Sequence, residues 1–229
     1  MNRTLRSVWL ALPALLAGGV AWSANATQFR EGTHYVTLPV KQASQVAAGK
    51  VEVTEVFSYG CPACNQFQPT MARIKAALPK NAELAHVHAS WVESESWPLF
   101  QRSFLAAQSL GIAEKSHEAM FAAIWGKNGP LAIVDARTNR VKSPKPTIED
   151  VARFHASRGD CTEAEFLAAA KSFSVSSRMK QSDELIKRYA APSTPCLVVG
   201  GAYRIEMDSI SSEDELIALI RFLVQKAAA

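Results

Sequence analysis

The chain is expected to fold as an α/β protein: a β-α-β unit, a helical insertion, and a closing β-β-α unit. Three stretches predict this. Residues 50–57 (KVEVTEVF) alternate apolar and polar side chains as a strand does, and lead through Cys61-Pro62-Ala63-Cys64 into a helix-like run at 62–78. Residues 98–189 carry apolar positions at helical spacing without a convincing strand. Strand character returns at Cys196–Val199, where Gly200-Gly201 supplies a hairpin turn.

Taken in order, residues 1–26 read as a secretion signal. Arg3 and Arg6 precede an uncharged apolar run at 8–20, and Ala24-Asn25-Ala26 fits the small-x-small cleavage rule, so the mature chain is expected to start at Thr27. That run is shorter than the roughly 20 residues a membrane span needs. Residues 29–39 suggest an arm with a short strand, and 50–57 a central strand. The helix at 62–78 contains Pro69, where a kink is expected because proline removes one amide donor. Residues 82–91 look β-like; 99–110 and 114–125 look helical. Thr147 is a candidate cap for a helix at 148–158, and Thr162-Glu163-Ala164-Glu165 fits a capping box before another. The hairpin runs into 203–205. Ser212-Glu213-Asp214-Glu215 then opens a last helix at 213–226, with Leu216, Ile217, Ile220, Leu223 and Val224 on one face. Residues 27–97 with 190–229 are therefore expected to form one domain, and 98–189 to be inserted in it.

Composition narrows the function. Removing 26 of 229 residues leaves 203, enough for one domain carrying an insertion. The net charge of +4 falls to about +2 without Arg3 and Arg6, which gives no case for nucleic acid or an anionic surface. Four cysteines are too few to staple a chain of this size, so the core must come from packing. An exported protein meets an oxidising cell wall or periplasm, where a C-x-x-C handles disulfides more readily than zinc. Zinc on all four cysteines would need a second close pair, and Cys161 and Cys196 are not one. Those two read as small packed thiols, with pairing to each other as the alternative. The five histidines are scattered: His34 on the arm, His86 and His88 on one strand, His117 and His155 on helices. Packing or surface roles are expected for all five, and no metal or cofactor. Trp91, Trp97 and Trp125 are expected in the core or between domains, one lining an apolar substrate groove as the alternative.

Strand, C-x-x-C, helix is the sequence form of a redox site, because the two cysteines stack within one helical turn. The attacking species is the thiolate. Cys61 falls at the N-cap, where unpaired amides and the helix dipole favour an anion. The dipole supplies roughly 0.3–2 kcal/mol, little more than one pKa unit at about 1.36 kcal/mol per unit. Hydrogen bonds to the charged sulfur, at roughly 1.5–3 kcal/mol each, must supply any larger shift. The amides of Ala63 and Cys64 and the Cys64 thiol are the candidate donors. Pro62 has no N–H, but its fixed φ suits the first helical position. A thiolate stabilised this way lowers the reduced form in energy and makes the disulfide the readily donated partner.

The same residues resemble the DsbA family of exported thiol oxidants, which has a thioredoxin-like fold with a helical domain inserted in its middle. Phe29-Arg30-Glu31-Gly32-Thr33-His34-Tyr35 is similar to the family's entry arm. Glu55-Val56-Phe57-Ser58-Tyr59-Gly60 leads into the C-P-x-C, with Phe67 and Pro69 downstream. Thr194-Pro195-Cys196-Leu197-Val198-Val199-Gly200-Gly201-Ala202-Tyr203 resembles the segment holding the family's cis-proline. The resemblance implies a monomer that oxidises unfolded exported proteins and is reoxidised by a DsbB-like membrane quinone reductase. It implies Cys61 and Cys64 as the catalytic pair. It also implies that Glu55 is a buried acid able to relay the proton of Cys64, against the plainer reading of an exposed strand glutamate; Glu52 is the competing acid but matches no family position. Only about 5–6% of X-Pro bonds are cis, so it is the resemblance that makes Thr194–Pro195 cis, presenting the Thr194 backbone to a substrate added as a strand. Two departures point to a milder oxidant. Many relatives have histidine where this chain has Ala63, and many have valine where it has Thr194. A disulfide reductase or isomerase is thus the second reading, and a redox-inert binding module the third.

Overall fold

The computed structural model describes residues 29–135 and 137–229. The expected signal at 1–26 and cleavage site lie outside the described residues. In chain order the elements are β1 (Tyr35–Thr37), β2 (Val51–Phe57), α1 (Pro62–Ala77), β3 (Ala82–His88), α2 (Trp97–Ser109), α3 (Ala113–Trp125), β4 (Val134–Asp135), β5 (Arg140–Val141), α4 (Ile148–Ser157), α5 (Glu163–Lys171), α6 (Phe173–Arg188), β6 (Cys196–Val199), β7 (Tyr203–Ile205) and α7 (Glu213–Ala228).

Five strands form one mixed sheet in the order β1-β7-β6-β2-β3. β2 lies between β3, to which it is parallel, and β6, to which it is antiparallel. A parallel pair requires a crossover, and α1 supplies it. This is the thioredoxin-like architecture. Between β3 and β6 the chain passes through five helices, α2 to α6, as the helical insertion predicted. The one departure is a two-stranded ribbon, β4 with β5, of two residues per strand; strands that short leave no readable alternation.

The polar positions of β2 are not at the surface. Glu52, Thr54 and Glu55 are all buried, because helices cover both sheet faces. On one face Val53 and Met71, Ile74, Leu197, Val199, Leu219 and Leu223 join β2, β6, α1 and α7. On the other, Val56, Val87 and Val198 pack with the helices of the insertion. Each fully buried aliphatic side chain contributes about 1.5–3 kcal/mol. The helix starts follow the predicted chemistry: Thr147 with Asp150 and Thr162 with Glu165 form capping boxes, and the Ser212 hydroxyl accepts from the Glu215 amide. α1 runs through Pro69 without a break; Pro69 is exposed.

Candidate active site

Cys61 is the N-cap of α1, with extended backbone (φ −88°, ψ 119°), and Pro62 follows at the first helical position. The Cys64 amide donates to Cys61 Sγ at 3.4 Å. No acidic residue stands in the first turn of α1, so the only negative charge that can collect the free amides there is the sulfur's own. On the other side, the Thr194–Pro195 peptide is cis, and the Thr194 carbonyl oxygen lies 3.6 Å from Cys61 Sγ.

These contacts separate the two sulfurs chemically. Cys61 is pulled down to about 6, first by the hydrogen bond from the Cys64 thiol and then by the Thr194 side chain and the Cys64 and Ala63 amides, against the opposing cost of burial. That lies inside the range of about 3.5–7.5 for activated cysteines. Cys64 is pushed far up, first because it is the donor in that bond, then by burial, with the Glu55 charge acting the same way. Cys61 keeps 5 % of its surface exposed and Cys64 none, while Pro62 and Ala63 are exposed beside them. One sulfur is thus set up to react and the other to wait beneath it.

Glu55 is fully buried and neither carboxylate oxygen has a hydrogen-bond donor. Glu52 contrasts with it. Two residues along a strand would share a face, but three apart they face opposite ways, and Glu52 accepts from Thr54 Oγ1 and the Gln45 amide, each at 2.5 Å. The cysteine pair Cys161 and Cys196 is not bridged; all four cysteines carry free thiols. Burial pushes Cys196 up to about 12, which makes it unreactive.

The loop that delivers Cys61 is held by residues assigned above only to packing. His88 Nδ1 bonds the Ala89 carbonyl at 2.7 Å, so its Nε2 is free to accept the Tyr59 amide at 3.0 Å. Burial holds this imidazole neutral, pulling it down to about 3. Trp125 Nε1 donates to the Tyr59 carbonyl at 2.8 Å. Gly60 leaves room for Trp97, because a Cβ there would meet the indole at 2.6 Å. Of the three tryptophans singled out, Trp97 is buried; Trp91, which is 44 % exposed, lies beside it with ring centroids 6.2 Å apart. An aromatic directly before the glycine that precedes C-x-x-C gave no signal of this in the sequence.

A cysteine pair at the start of the helix after the central strand, beside a cis-proline loop, defines a thiol:disulfide oxidoreductase of thioredoxin-like fold. Comparison with known proteins agrees. No family model matches the chain. It is 30% identical over 227 residues to the thiol:disulfide interchange protein DsbA of Azotobacter vinelandii, covering 99% of this chain and 98% of that one. It is 29% identical over 229 residues to the DsbA of Pseudomonas aeruginosa strain PAO1, covering 98% of each. Among solved structures it resembles the crystal structure of Pseudomonas aeruginosa DsbA, at TM-score 0.71 and 28% identity over 89% of this chain and 96% of that one. It also resembles the oxidoreductase DsbA of Xylella fastidiosa, at TM-score 0.72 and 27% identity over 87% and 98%. The chain belongs to the DsbA family and is a DsbA-type disulfide oxidoreductase.

Proposed function

We propose that this chain is an exported dithiol oxidase that donates a Cys61–Cys64 disulfide to folding secreted proteins through a mixed disulfide. A substrate thiolate attacks Cys61 Sγ; the Cys61–Cys64 bond breaks and Cys64 takes the electron pair. A second substrate thiol, deprotonated, then attacks the substrate sulfur of the mixed disulfide and expels Cys61 as thiolate. The substrate dithiol is oxidised to a disulfide and the cysteine pair is reduced, two electrons passing between them. The observation that carries this reading is the asymmetry of the two sulfurs, since a leaving thiol of low pKa leaves faster and Cys61 sits at about 6.

Cys64 leaves beneath the surface and needs a proton. Glu55, buried on the adjoining strand with both oxygens free of donors, is the group assigned to relay it. Pro62 fixes the helix start and Ala63 leaves the approach open. Thr194, ahead of Pro195, offers its backbone to an extended substrate, and Trp91 offers an apolar platform beside the loop that carries Cys61. Residues 27–97 with 190–229 form the redox domain in this reading and 98–189 the insertion that covers it. The protein works in the periplasm as a monomer, and a DsbB-like membrane quinone reductase restores the disulfide; among the described residues no helix is long and apolar enough to cross a membrane. Ala63 and Thr194 permit the alternative of an isomerase or reductase. Melting temperatures of the oxidised and reduced forms decide between them: the oxidase requires the reduced form to melt higher, and a disulfide that raises the melting temperature overturns it.

A further inference from the structure

We infer that Glu55, His86 and His117 form a binding site for a divalent transition-metal ion of the zinc class, entered from the cleft beside α1. The register of the sheet begins the site. Glu55 and His86 are direct partners across the parallel β2–β3 pair, so their side chains share a face. His117 reaches the same place from α3, its ring centroid 4.7 Å from that of His86. One ligand atom from each of the three lies within 4.8 Å of the others.

The hydrogen bonding of the trio is incomplete in the way a cation would complete it. Both Glu55 oxygens are buried without a donor, and so is His117 Nε2. His86 Nε2 is 3.4 Å from Glu55 Oε2 but does not meet hydrogen-bond geometry. A carboxylate shut away from water without a donor is costly, and a metal ion is the partner that removes that cost. On the far side of the ring, His117 Nδ1 bonds the Tyr59 hydroxyl at 3.0 Å. With Nδ1–H donating to that oxygen, Nε2 carries the lone pair and is left buried without a partner, which is how an outer partner readies an imidazole to ligate.

Two imidazoles and a carboxylate suit zinc and its neighbours, and are too nitrogen-rich for magnesium or calcium. Ligands held at about 2.1 Å in a tetrahedron stand about 3.4 Å apart. Starting within 4.8 Å, the three close by at most about 1.4 Å, which side-chain rotation provides. Access exists as well. A cleft of about 1000 Å³ between α1, β3 and α3 is lined by His86 and His117, with Lys75 and Glu114 paired at its rim. Glu55 lies behind them, so a bound ion keeps its fourth position toward the cleft for water.

The inference does not rest on the direction of electron flow at the cysteines. Its test uses untagged, chelator-stripped protein in the oxidised form, so that the C-x-x-C thiolates cannot take the metal. Titration with Zn²⁺ against a chromophoric indicator is expected to show saturable uptake of one ion per chain and a rise in melting temperature. His86→Gln and Glu55→Gln are each expected to weaken uptake at least tenfold, and Tyr59→Phe by about 10–100-fold through the lost outer partner. His86 is 24 % exposed at its side chain, so H86Q leaves the core filled and keeps the test valid if a deeper variant fails to fold. No saturable uptake, or uptake that H86Q leaves unchanged, overturns the inference.

Discussion

Replacing Cys64 by alanine tests the chemistry of Cys61 most directly, because the Cys64 thiol is the first cause of the low Cys61 pKa. The variant removes that donor but keeps the Cys64 position's amide, the helix dipole and Thr194. A hydrogen bond to a charged acceptor is worth about 1.5–3 kcal/mol. At about 1.36 kcal/mol per unit this is roughly one to two pKa units. Cys61 is therefore expected to move from about 6 to roughly 7–8 in Cys64→Ala. Cys64→Ser, which keeps an O–H donor, is expected to hold most of the original value. The measurement is the ultraviolet absorbance of the thiolate followed through a pH titration of each variant. Should Cys64→Ala still titrate near the wild-type midpoint, the helix terminus and not the paired thiol governs Cys61, and the hydrogen-bond account is wrong.

Further consequences can be measured on the same protein. Because the folded Cys61 pKa is about 6 against an ordinary 9.0, the thiolate stabilises the reduced form fully above about pH 9 and loses that effect as pH falls through about 6. At pH 7 the gain is roughly tenfold, about 30 mV in potential, or about 1 kcal/mol once solvent screening is allowed for; a reduced-minus-oxidised stability difference that is flat from pH 6 to 9 contradicts it. Ala63→His adds a donor at an exposed position beside Cys61 and is expected to lower its titration midpoint further and raise the reduction potential; an unchanged glutathione equilibrium refutes this. Gly60→Ala brings a Cβ to 2.6 Å from the Trp97 indole and 2.9 Å from the Glu95 carbonyl, so denaturant unfolding is expected to show a loss of about 1–3 kcal/mol. Leu219→Ala, in the fully buried face of α7, is expected to cost about 2–5 kcal/mol while leaving the Cys61 titration in place.

What could be read from the sequence was what local chemistry determines. The C-x-x-C before a helix, the Thr147 cap, the Thr162 capping box and the Gly-Gly hairpin each need only neighbouring residues, and each stands where expected. The alternation of 50–57 gave the strand but understated its burial, because alternation registers polarity and not whether a second layer of helices covers the polar side. α6 had no clear outline in the sequence: of its sixteen residues only Val175 and Ile186 are buried, too few to mark a face. Nor could spacing bring His86 beside Glu55 or His117 beside both. The first needs the register of a parallel pair across a crossover, and the second needs α3 to pack against α1. His88 shows a subtler limit: a buried histidine reads as packing until both ring nitrogens are seen to be occupied.

The three ties on residues 59–60 have a mechanical consequence. The backbone just ahead of Cys61 is fastened to the end of β3 through His88, to the first residue of α2 through Trp97 and to the insertion through Trp125. Making or breaking the bond between the sulfurs therefore has little scaffold to drag with it, and the reorganisation is confined to the thiol side chains. A site with so little to rearrange can cycle between its two redox states quickly and in either direction, leaving the partner it meets to set the outcome.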